Sequence, residues 1–541
     1  MSDAIDYLIN LYNGHSAIAE RVDTQQLQEI HIQTRLDDKI RQWVEQGYDV
    51  ILTGNPGDGK THLMNILAAA LQHADYEKDA SQRHSHQILE DWHKSKKAKR
   101  PFVLAINHAP LRELAEEARL DNEFQYLYEV VLGAETHQSE IEDFVVYSSE
   151  QKERFSDIDQ TKLILIDLSQ RQLLTDEDVI DPLLDKLCKL ASSISCESVL
   201  PEGCQRCPIK YNVKVLSDKN GVVRSNLKEV LSLVARRGFH ATMRDLIGLL
   251  AFAITGGVKC EALWLNQEDC NYYDYYNLLY RGRNRLFDAL RQTFDPGDYA
   301  DPKVDMSLWM REIRDGWTIE EPYQPTDLDA LKVLKRRYFF EHQESTKTKL
   351  RRVLSDIERE FDDLVQGEWG EHESVERLIE MINLLYAPLK GGNGQGQGYR
   401  YRLRLWNKHR YSVGQTPGYF AMRSISSDQL TIYYPELNPK YEQALEINKD
   451  HVLLAVRNWL PGDPALRVDW EMYKALAAAR QGKLIDVQPY HILRRLDLFM
   501  RSLGPEVGRV YSIETVEWSD YRQRAVVTMR VNRRKLTYQS L

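Results

Sequence analysis

Cysteine is scarce in this 541-residue sequence, which contains only six. Six cysteines are too few for a disulfide framework in a chain of this size, so we expect thiols or metal ligands. No segment approaches the roughly 18 to 20 uninterrupted apolar residues of a membrane-spanning helix. The N-terminal residues lack the basic start and apolar core of a signal peptide. These absences predict a cytoplasmic protein that does not associate with membranes.

Positive charge is also in deficit, with 71 Lys and Arg against 81 Asp and Glu, a net charge of −10. The deficit excludes a uniformly basic nucleic-acid coat protein, and an apolar content of 43% excludes a disordered chain. The charge is unevenly distributed. Residues 391–541 hold 23 basic and 14 acidic residues and carry +9, which leaves −19 on residues 1–390. This polarity suits self-assembly into a homo-oligomer or one DNA-facing surface.

Three regions of different pattern follow one another along the chain. Residues 1–258 alternate short apolar runs with amphipathic helices, which predicts an α/β core with a parallel sheet and a helical lid at about 225–258. Residues 259–390 have helical spacing and predict an all-helical domain. Residues 391–541 start with a glycine-rich linker and continue with β-type alternation and two helices, which predicts a basic α+β domain.

Individual elements can be placed within these regions. The polar segment 73–100 is interpreted as a solvent-exposed connection between secondary-structure elements. The buried strands are predicted at residues 48–53, 101–107 and 162–168, and helices at 60–74, 470–480 and 490–503.

A glycine-rich sequence follows the first predicted strand and opens the first predicted helix. It matches the pattern G-x-x-x-x-G-K-[ST], in which the glycines let backbone N–H groups turn toward phosphates and the lysine brings a positive charge to the β- and γ-phosphates. The threonine hydroxyl is placed to ligate Mg²⁺, and the helix N-terminus adds positive potential. Lys60 is also an expected catalytic residue. The expected ATP-binding residues are Gly54, Asn55, Pro56, Gly57, Asp58, Gly59, Lys60, Thr61 and His62.

Hydrolysis needs an acidic group on a neighbouring strand to hold Mg²⁺ or its water shell. The best candidate is Asp167, because an acid that ends a buried apolar strand is costly unless it has a polar or metal partner. Thr61 and Asp167 are therefore the expected Mg²⁺ ligands. Leu168 stands where a second acid would strengthen the pattern. Asp79 and Asn107 end two other short β-like runs, and the sequence leaves the strand order open.

The helical pattern over residues 226–257 predicts the lid, with Thr242 as an N-cap three residues before Asp245. Arg244 lies at the start of this helix, where AAA+-type ATPases place a lid arginine that reaches the γ-phosphate. The alternative is a surface arginine that pairs with Asp245. With the glycine-rich motif, the predicted fold class is an AAA+-like α/β P-loop NTPase with a parallel sheet and a helical lid.

Four of the six cysteines lie close together in the sequence. Cys204 and Cys207 have the C-x₂-C spacing of half a zinc knuckle, and Cys188 and Cys196 could complete a Cys₄ set. Cys188 lies in an amphipathic helical run, where a buried free thiol is the alternative. Zinc in this set would be structural, because four thiolates leave no open coordination position.

The basic C-terminal region begins with arginines interleaved with aromatic residues, a pattern that could bind a nucleic-acid backbone and stack bases. On a strand, Arg400, Arg402 and Arg404 share one face, while Leu403 and Leu405 share the other, which is also typical of a plain amphipathic edge strand. The acidic partner of this region is either DNA or the acidic part of a neighbouring protomer.

The order of the motifs resembles that of the DptF-like proteins, the ATPase components of DNA-phosphorothioation-dependent restriction systems. The likeness covers about the first 260 residues well and the C-terminal part more thinly. The chain has KDASQR and AINHAPL where the family has NDATES-like and AINxGxL segments, which leaves open a related defence ATPase with other partners. The motifs are, in chain order, LTGNPGDGKTHL, KDAS, FVLAINHAPL, LILIDLSQRQLL, CPIKYNVKVL, HATMRDLIGLLAFAITGG and VDWEMYKALAAARQGKL.

The resemblance implies a bacterial antiphage ATPase that works with helicase-like or nuclease partner proteins in sensing and damaging foreign DNA. We expect the ATP state to alter the engagement of partners or DNA, with Lys60, Asp167 and Arg244 as catalytic residues. The alternative is a nucleotide-dependent scaffold or oligomerisation switch with little hydrolysis. A DNA translocase or nuclease acting alone ranks last, because the chain has no nuclease-like acidic cluster and no helicase motif series.

Overall fold

The protein is described by a computed structural model. It covers residues 3–13, 29–70, 72–80, 83–121, 123–128, 131, 145–146, 163–192, 207–258, 270–310, 328–386, 400–408, 419–437, 444–447, 449–459, 463–481, 488–503, 510–516, 524–532 and 535–540. Within these ranges, none of the helices is both long enough and apolar enough to cross a membrane.

Most of the described helices lie in the first 386 residues, and two lie near the C-terminus. They are α1 (Asp3–Asn13), α2 (Arg35–Glu45), α3 (Lys60–Ala70), α4 (Ser85–Lys97), α5 (His108–Ala118), α6 (Glu177–Ser192), α7 (Pro208–Leu216), α8 (Val222–Arg236), α9 (Met243–Thr255), α10 (Tyr275–Leu278), α11 (Arg285–Thr293), α12 (Pro302–Met310), α13 (Leu328–Glu341), α14 (Thr346–Val353), α15 (Asp356–Val365), α16 (Glu371–Tyr386), α17 (Trp470–Arg480) and α18 (Tyr490–Ser502).

Strands occur in two groups, one early and one late in the chain. They are β1 (Asp49–Thr53), β2 (Asp75–Glu77), β3 (Phe102–Ala105), β4 (Val145–Val146), β5 (Leu163–Asp167), β6 (Arg402–Lys408), β7 (Tyr419–Ser426), β8 (Leu430–Tyr433), β9 (Glu436–Leu437), β10 (His451–Val456), β11 (Ala465–Asp469), β12 (Val510–Val516), β13 (Arg524–Asn532) and β14 (Lys535–Ser540).

The chain folds as two compact units. The first unit comprises Met1–Leu354 and Glu436–Asn448, and the second comprises Ser355–Pro435 and Lys449–Leu541. The described residues between 270 and 386 form helices and turns, as their spacing indicates, and these helices are shared between the two units. The predicted domain boundaries at residues 258 and 390 stay predictions, and the glycine-rich segment 391–398 lies outside the described residues.

The first unit contains a parallel four-stranded sheet in the order β2-β3-β1-β5, flanked by helices. Strand β1 pairs with β3 on one side and with β5 on the other. Every residue of β1, β3 and β5 is buried, which explains why these strands have nearly continuous apolar sequences. The predicted parallel α/β sheet is confirmed. The carboxyl ends of its strands lie at one edge, which positions the site described below.

One interpretation of the sequence was wrong. Segment 73–100 is not a solvent-exposed connection, because it contains strand β2, at the edge of the sheet, and helix α4. Ile88, Leu89 and Trp92 of α4 are buried against the sheet. Their helical spacing is masked in the sequence by the lysines and histidines that cover the outer face of the same helix.

Most other helices of the first unit form a second apolar core, to which α1, α6, α8 and α9 contribute. Thr242 is the N-cap of α9, as predicted, and forms a capping box in which its side chain accepts from the Asp245 amide. Gly256 ends the helix in the left-handed conformation. The cap therefore places Arg244 in the first turn of α9.

In its described residues, the second unit has two antiparallel sheets, one in the order β11-β10-β8 and one in the order β14-β13-β12-β7-β6. Helices α15 to α18 contribute to its apolar core together with β6, β8, β10 and β11. Helix α17 begins and ends where the sequence predicts, and α18 ends one residue earlier than predicted. The α and β elements expected after residue 391 are thus present, while the identity of this part as a domain stays a prediction.

Candidate functional site

Residues 54–61, here called the glycine loop, connect the end of β1 with the start of α3. Gly54, Gly57 and Gly59 have φ angles of 138°, 101° and 93°. Only glycine adopts these backbone conformations without strain, so the three glycines allow the loop to curl tightly before the helix begins. The loop thus has a buried strand before it and a helix N-terminus after it, as the motif requires.

Lys60 is folded back into the glycine loop. Its Nζ donates hydrogen bonds to the backbone oxygens of Gly54 at 3.0 Å and Asn55 at 2.9 Å. Burial lowers the pKa of Lys60, and the nearby carboxylates of Asp58 and Asp167 partly oppose that shift. The ammonium group is thereby held at the centre of the loop by carbonyl dipoles and negative charges.

Asp58 joins the glycine loop to the segment that precedes α9. Its Oδ2 accepts a hydrogen bond from the backbone N–H of Asn55 at 2.6 Å, and its Oδ1 lies 3.2 Å from His240 Nε2. The backbone N–H of Arg244 donates to the oxygen of Gly57 at 3.3 Å. The predicted lid helix is therefore attached to the loop through its first turn and through the segment that precedes it.

Asp167 ends β5 directly beside Thr53, its partner in the parallel ladder. It is 2% exposed, and its Oδ1 accepts from the Ser169 N–H at 2.9 Å and lies 3.4 Å from His108 Nε2. Burial alone raises the pKa of Asp167, but the hydrogen bonds from His108 and Ser169 bring it below its ordinary value. Asp167 is therefore a buried carboxylate with polar partners at the strand next to β1.

Two alternative polar residues lie at the same edge of the sheet. Asp79 follows β2, the edge strand, and Asn107 follows β3, which separates β2 from β1. Asn107 is also the N-cap of α5. The strand order that the sequence left open thus brings all three candidates, including Asp167, to the carboxyl end of one sheet.

A cavity of about 280 Å³ opens beside the glycine loop. Residues 56–62 line it, together with Asp79, Asn107 and Arg244. Gly54, Asn55 and Asp167 lie outside this lining; the first two supply the carbonyls that hold Lys60. Most of the predicted binding residues, and the predicted lid arginine, are therefore brought to one cavity.

Other residues of this cavity have no signal in the sequence. Segment 30–32 and Asp37 form part of the wall, although they precede β1 and belong to no motif. Arg171, which is 7% exposed, lines the cavity as well. Its Nη2 donates to Asp176 Oδ2 at 3.3 Å. These residues reach the site only through packing of α2 and of the turn after β5 on the sheet, which local spacing does not encode.

The predicted zinc ligands are only partly described. Cys188 is buried in α6 and Cys207 is the half-buried N-cap of α7, while Cys196 and Cys204 lie outside the described residues. Burial raises the pKa of the Cys188 thiol to about 12. Across the described part of the chain, no group of three or more His, Cys, Asp or Glu side chains is arranged to hold a metal ion. The Cys₄ zinc site stays a prediction.

The basic strand of the C-terminal region is β6, at the edge of the described five-stranded sheet. Leu403 and Leu405 are buried and Arg402 is exposed, as in an amphipathic edge strand. Arg400, just before the strand, donates from Nε to Glu380 at 2.6 Å. Binding of DNA through this strand stays a prediction.

No known protein family, curated protein sequence or solved structure matches the chain. The chemistry of the cavity must therefore be inferred from its own residues. Its lining offers backbone N–H groups, a buried lysine, a hydroxyl and carboxylates, which suit a polyphosphate and a hard cation. The lining also includes apolar residues, among them Ile30, Ile32 and Leu183. A ligand that carries both a polyphosphate and an apolar group fits this set of residues.

Proposed function

We propose that the chain binds and hydrolyses ATP and that it serves as the ATPase component of a bacterial DNA-restriction or antiphage defence complex. The observation that carries the ATP-binding part is the glycine loop between a buried strand and a helix, with Lys60 held inside it next to a cavity. The defence role comes from the resemblance of the ordered motifs to the DptF-like proteins.

The proposal assigns a role to each part of the loop. Backbone N–H groups of residues 54–61 and the N-terminus of α3 bind the phosphates, and Lys60 exchanges its carbonyl partners for β- and γ-phosphate oxygens. Mg²⁺ would be held by the Thr61 hydroxyl and by the carboxylate of Asp167 or Asp79, oxygen donors of the kind it prefers. When bound, it neutralises charge on the phosphates. Arg244 reaches the γ-phosphate.

Nucleotide state would be coupled to partners through the lid helix. The Arg244 backbone N–H donates to the oxygen of Gly57 in the loop, and Arg244 is among the residues that line the cavity. Loss of the γ-phosphate would therefore change the contacts at the start of α9. We propose that this change alters the engagement of other defence proteins, helicase-like or nuclease, of DNA, or of neighbouring protomers in a homo-oligomer.

The decisive test is ATP turnover by the wild type and by Lys60→Ala, measured with and without DNA and with and without the proteins that the neighbouring genes encode. We expect Lys60→Ala to reduce turnover at least about 100-fold, because it removes the charge that meets the transferring phosphate. Lys78→Ala is the matched control, since Lys78 is an exposed lysine of the same cavity. Equal turnover in wild type and Lys60→Ala, or no ATP binding by the wild type, would overturn the proposal.

The Mg²⁺ ligand can be assigned with two isosteric variants. Asp167→Asn should retain ATP binding and lose turnover, whereas Asp79→Asn should have a smaller effect on turnover. The opposite order would move the catalytic acid to the edge strand β2 and leave Asp167 as a partner of His108.

A scaffold or oligomerisation switch with little hydrolysis is the second candidate. One observation favours it: Leu168, the residue after Asp167, is buried and lines the cavity where a second acid could have polarised water. This candidate predicts that ATP changes the oligomer size measured by light scattering while turnover stays at background. Turnover that Asp167→Asn abolishes would exclude it.

A further inference from the structure

A turn of the first unit carries three arginines at alternate positions. It comprises residues 281–285, between α10 and the first residue of α11, and is here called the arginine turn. Arg281, Arg283 and Arg285 are exposed, whereas Gly282 is buried and Asn284 is half-buried. The described lining of the cavity beside the glycine loop includes none of these five residues. The arginine turn is therefore a surface feature separate from the candidate nucleotide site.

Hydrogen bonds hold the backbone of the arginine turn in place. Arg291 Nη1 donates to the backbone oxygens of Tyr280 at 2.9 Å and Gly282 at 3.0 Å. The backbone N–H of Arg283 donates to the Tyr12 hydroxyl at 3.2 Å. The turn is therefore fixed before any ligand binds, which reduces the entropy that binding would cost.

Asn284 attaches the arginine turn to the first turn of α9. Its Oδ1 accepts from two backbone N–H groups in the first turn of α11, at 3.0 Å and 3.2 Å, and its Nδ2 donates to the backbone oxygen of Asp245 at 3.1 Å. Asp245 follows Arg244, whose backbone N–H is bonded to Gly57 of the glycine loop. The arginine turn and the glycine loop are thus both bonded to the first turn of the same helix.

The three arginine side chains are not paired with acids. The guanidinium carbon of Arg281 lies 3.8 Å from the centre of the Tyr272 ring, and its Nη1 donates to the Tyr272 backbone oxygen at 3.4 Å. The guanidinium carbon of Arg285 lies 5.5 Å from the centre of the Phe239 ring. In the part of the chain that the structure describes, none of Arg281, Arg283 and Arg285 forms an ion pair with a carboxylate. Two of the three charges are therefore held against aromatic rings and remain available to an anion.

These features favour a ligand that is rich in phosphate. An arginine guanidinium is a planar donor that matches the geometry of a phosphate group, and it can stack on an aromatic ring at the same time. Residues 1–390 carry a net charge of −19, so three arginines without acidic partners form a local positive surface on an acidic part of the chain. The phosphodiester backbone of a nucleic acid offers such a surface a regular series of anionic groups.

We propose that the arginine turn binds the phosphodiester backbone of DNA. This inference rests on the proposed function, in which DNA is one of the engaged partners, and it names the surface that makes the contact. Arg283 donates to phosphate oxygens, and Arg281 and Arg285 present their charges from positions fixed by stacking. Contacts of this kind carry no base information, so binding depends on salt concentration rather than on DNA sequence.

The test measures the binding of a short fluorescein-labelled DNA duplex to the full chain by fluorescence anisotropy at several salt concentrations. The triple variant Arg281→Gln, Arg283→Gln, Arg285→Gln should bind the duplex at least about tenfold more weakly than the wild type. The slope of log affinity against log salt concentration should fall in magnitude by about 2 to 3, because three phosphate contacts are lost. ATP turnover without DNA should be unchanged, because none of the three arginines is in the described cavity lining.

A second triple variant controls for the loss of charge alone. Lys94→Gln, Lys97→Gln, Lys99→Gln removes the same charge from an exposed basic segment at the end of α4. It should weaken DNA binding by less than about threefold, since it removes only long-range attraction. Thermal denaturation establishes that both triple variants are folded.

No DNA binding by a wild type that hydrolyses ATP would overturn the inference and leave the ATPase proposal standing. Equal losses in the arginine and lysine variants, or no loss in either, would also overturn it. A change of oligomer size in the arginine variant with DNA affinity unchanged would assign the turn to an acidic protein surface instead. Absence of ATP binding and turnover in the wild type would refute the proposed function, whatever the affinity for DNA.

Discussion

His240 Nε2 lies 3.2 Å from Asp58 Oδ1, which joins the segment before α9 to the middle of the glycine loop. The Asp58 side chain is 2% exposed and that of His240 is 25% exposed, so solvent screens this contact only partly. Because Arg244 lies four residues after His240, the same contact positions the predicted lid arginine. The contact therefore holds the glycine loop next to the segment in which α9 begins.

His240→Ala and Asp58→Asn should each reduce the free energy of unfolding by about 1 kcal/mol, because each breaks a partly buried hydrogen bond. The double variant should lose less than the sum of the two. Urea denaturation of the four proteins measures this coupling. Strict additivity would show that the contact contributes nothing to stability.

Gly54→Ala should be far more damaging than Gly47→Ala. Both glycines have positive φ, at 138° and 83°, so both variants carry backbone strain of about 1 kcal/mol. A Cβ at Gly54 would also lie 2.7 Å from Asp58 Oδ2 and 3.2 Å from the Ser169 backbone nitrogen, whereas nothing lies within 4 Å of a Cβ at Gly47. Denaturation and ATP binding of the two variants test this. Equal destabilisation would contradict it.

Arg224→Met should lower the free energy of unfolding by about 1 to 3 kcal/mol, because it removes the charged hydrogen bonds of a buried guanidinium, while Asp181 and Asp185 are 33% and 30% exposed. Arg224 is fully buried and donates to Asp185 at 2.9 Å and to the backbone oxygen of Asp181 at 2.6 Å. Lys219 also pairs with Asp185, but its side chain is 70% exposed. Lys219→Met should therefore cost less than about 1 kcal/mol. Similar losses for the two variants would be the contrary result.

The ion pairs that Asp185 forms with Arg224 and Lys219 should also be lost in acid. Burial raises the pKa of Asp185, but hydrogen bonds from Lys219 and Arg224 outweigh this and bring it below its ordinary value of 3.8. Because the folded-state pKa is lowered, the stabilisation is present above pH 3.8 and disappears as pH falls through the folded-state pKa. The stability difference between wild type and Asp185→Asn should therefore shrink as the pH is lowered from 5 to 3. A constant difference would argue against the pairing.

Cys188 should resist alkylation at pH 8 until the protein unfolds, because it is buried and its thiol has a pKa of about 12. Cys207 is only half-buried and should react in the native protein. Mass-spectrometric mapping after iodoacetamide treatment measures both sites. Protection of both cysteines that a zinc chelator relieves would instead support the predicted Cys₄ zinc site.

Local patterns predicted the elements around the glycine loop well. Strands β1, β3 and β5 are continuous apolar runs and α9 has its N-cap, so each is encoded within a few residues. Helix α3 was predicted to continue to residue 74 but ends at Ala70, and α4 was missed altogether. In α4 the buried positions are few and the outer face is strongly basic. A weak apolar stripe is hard to recognise without the sheet that covers it.

The sequence by itself determined the glycine loop, with its glycines and Lys60, because the backbone conformations there depend on residues next to one another. Only the tertiary structure decided the strand order and, with it, the gathering of Asp79, Asn107 and Asp167 at one edge. It also decided that segment 30–32 and Asp37 line the cavity beside the glycine loop, since contacts between separate elements depend on how helices pack on the sheet. Packing of that kind is a property of the whole core, which no short stretch of sequence carries.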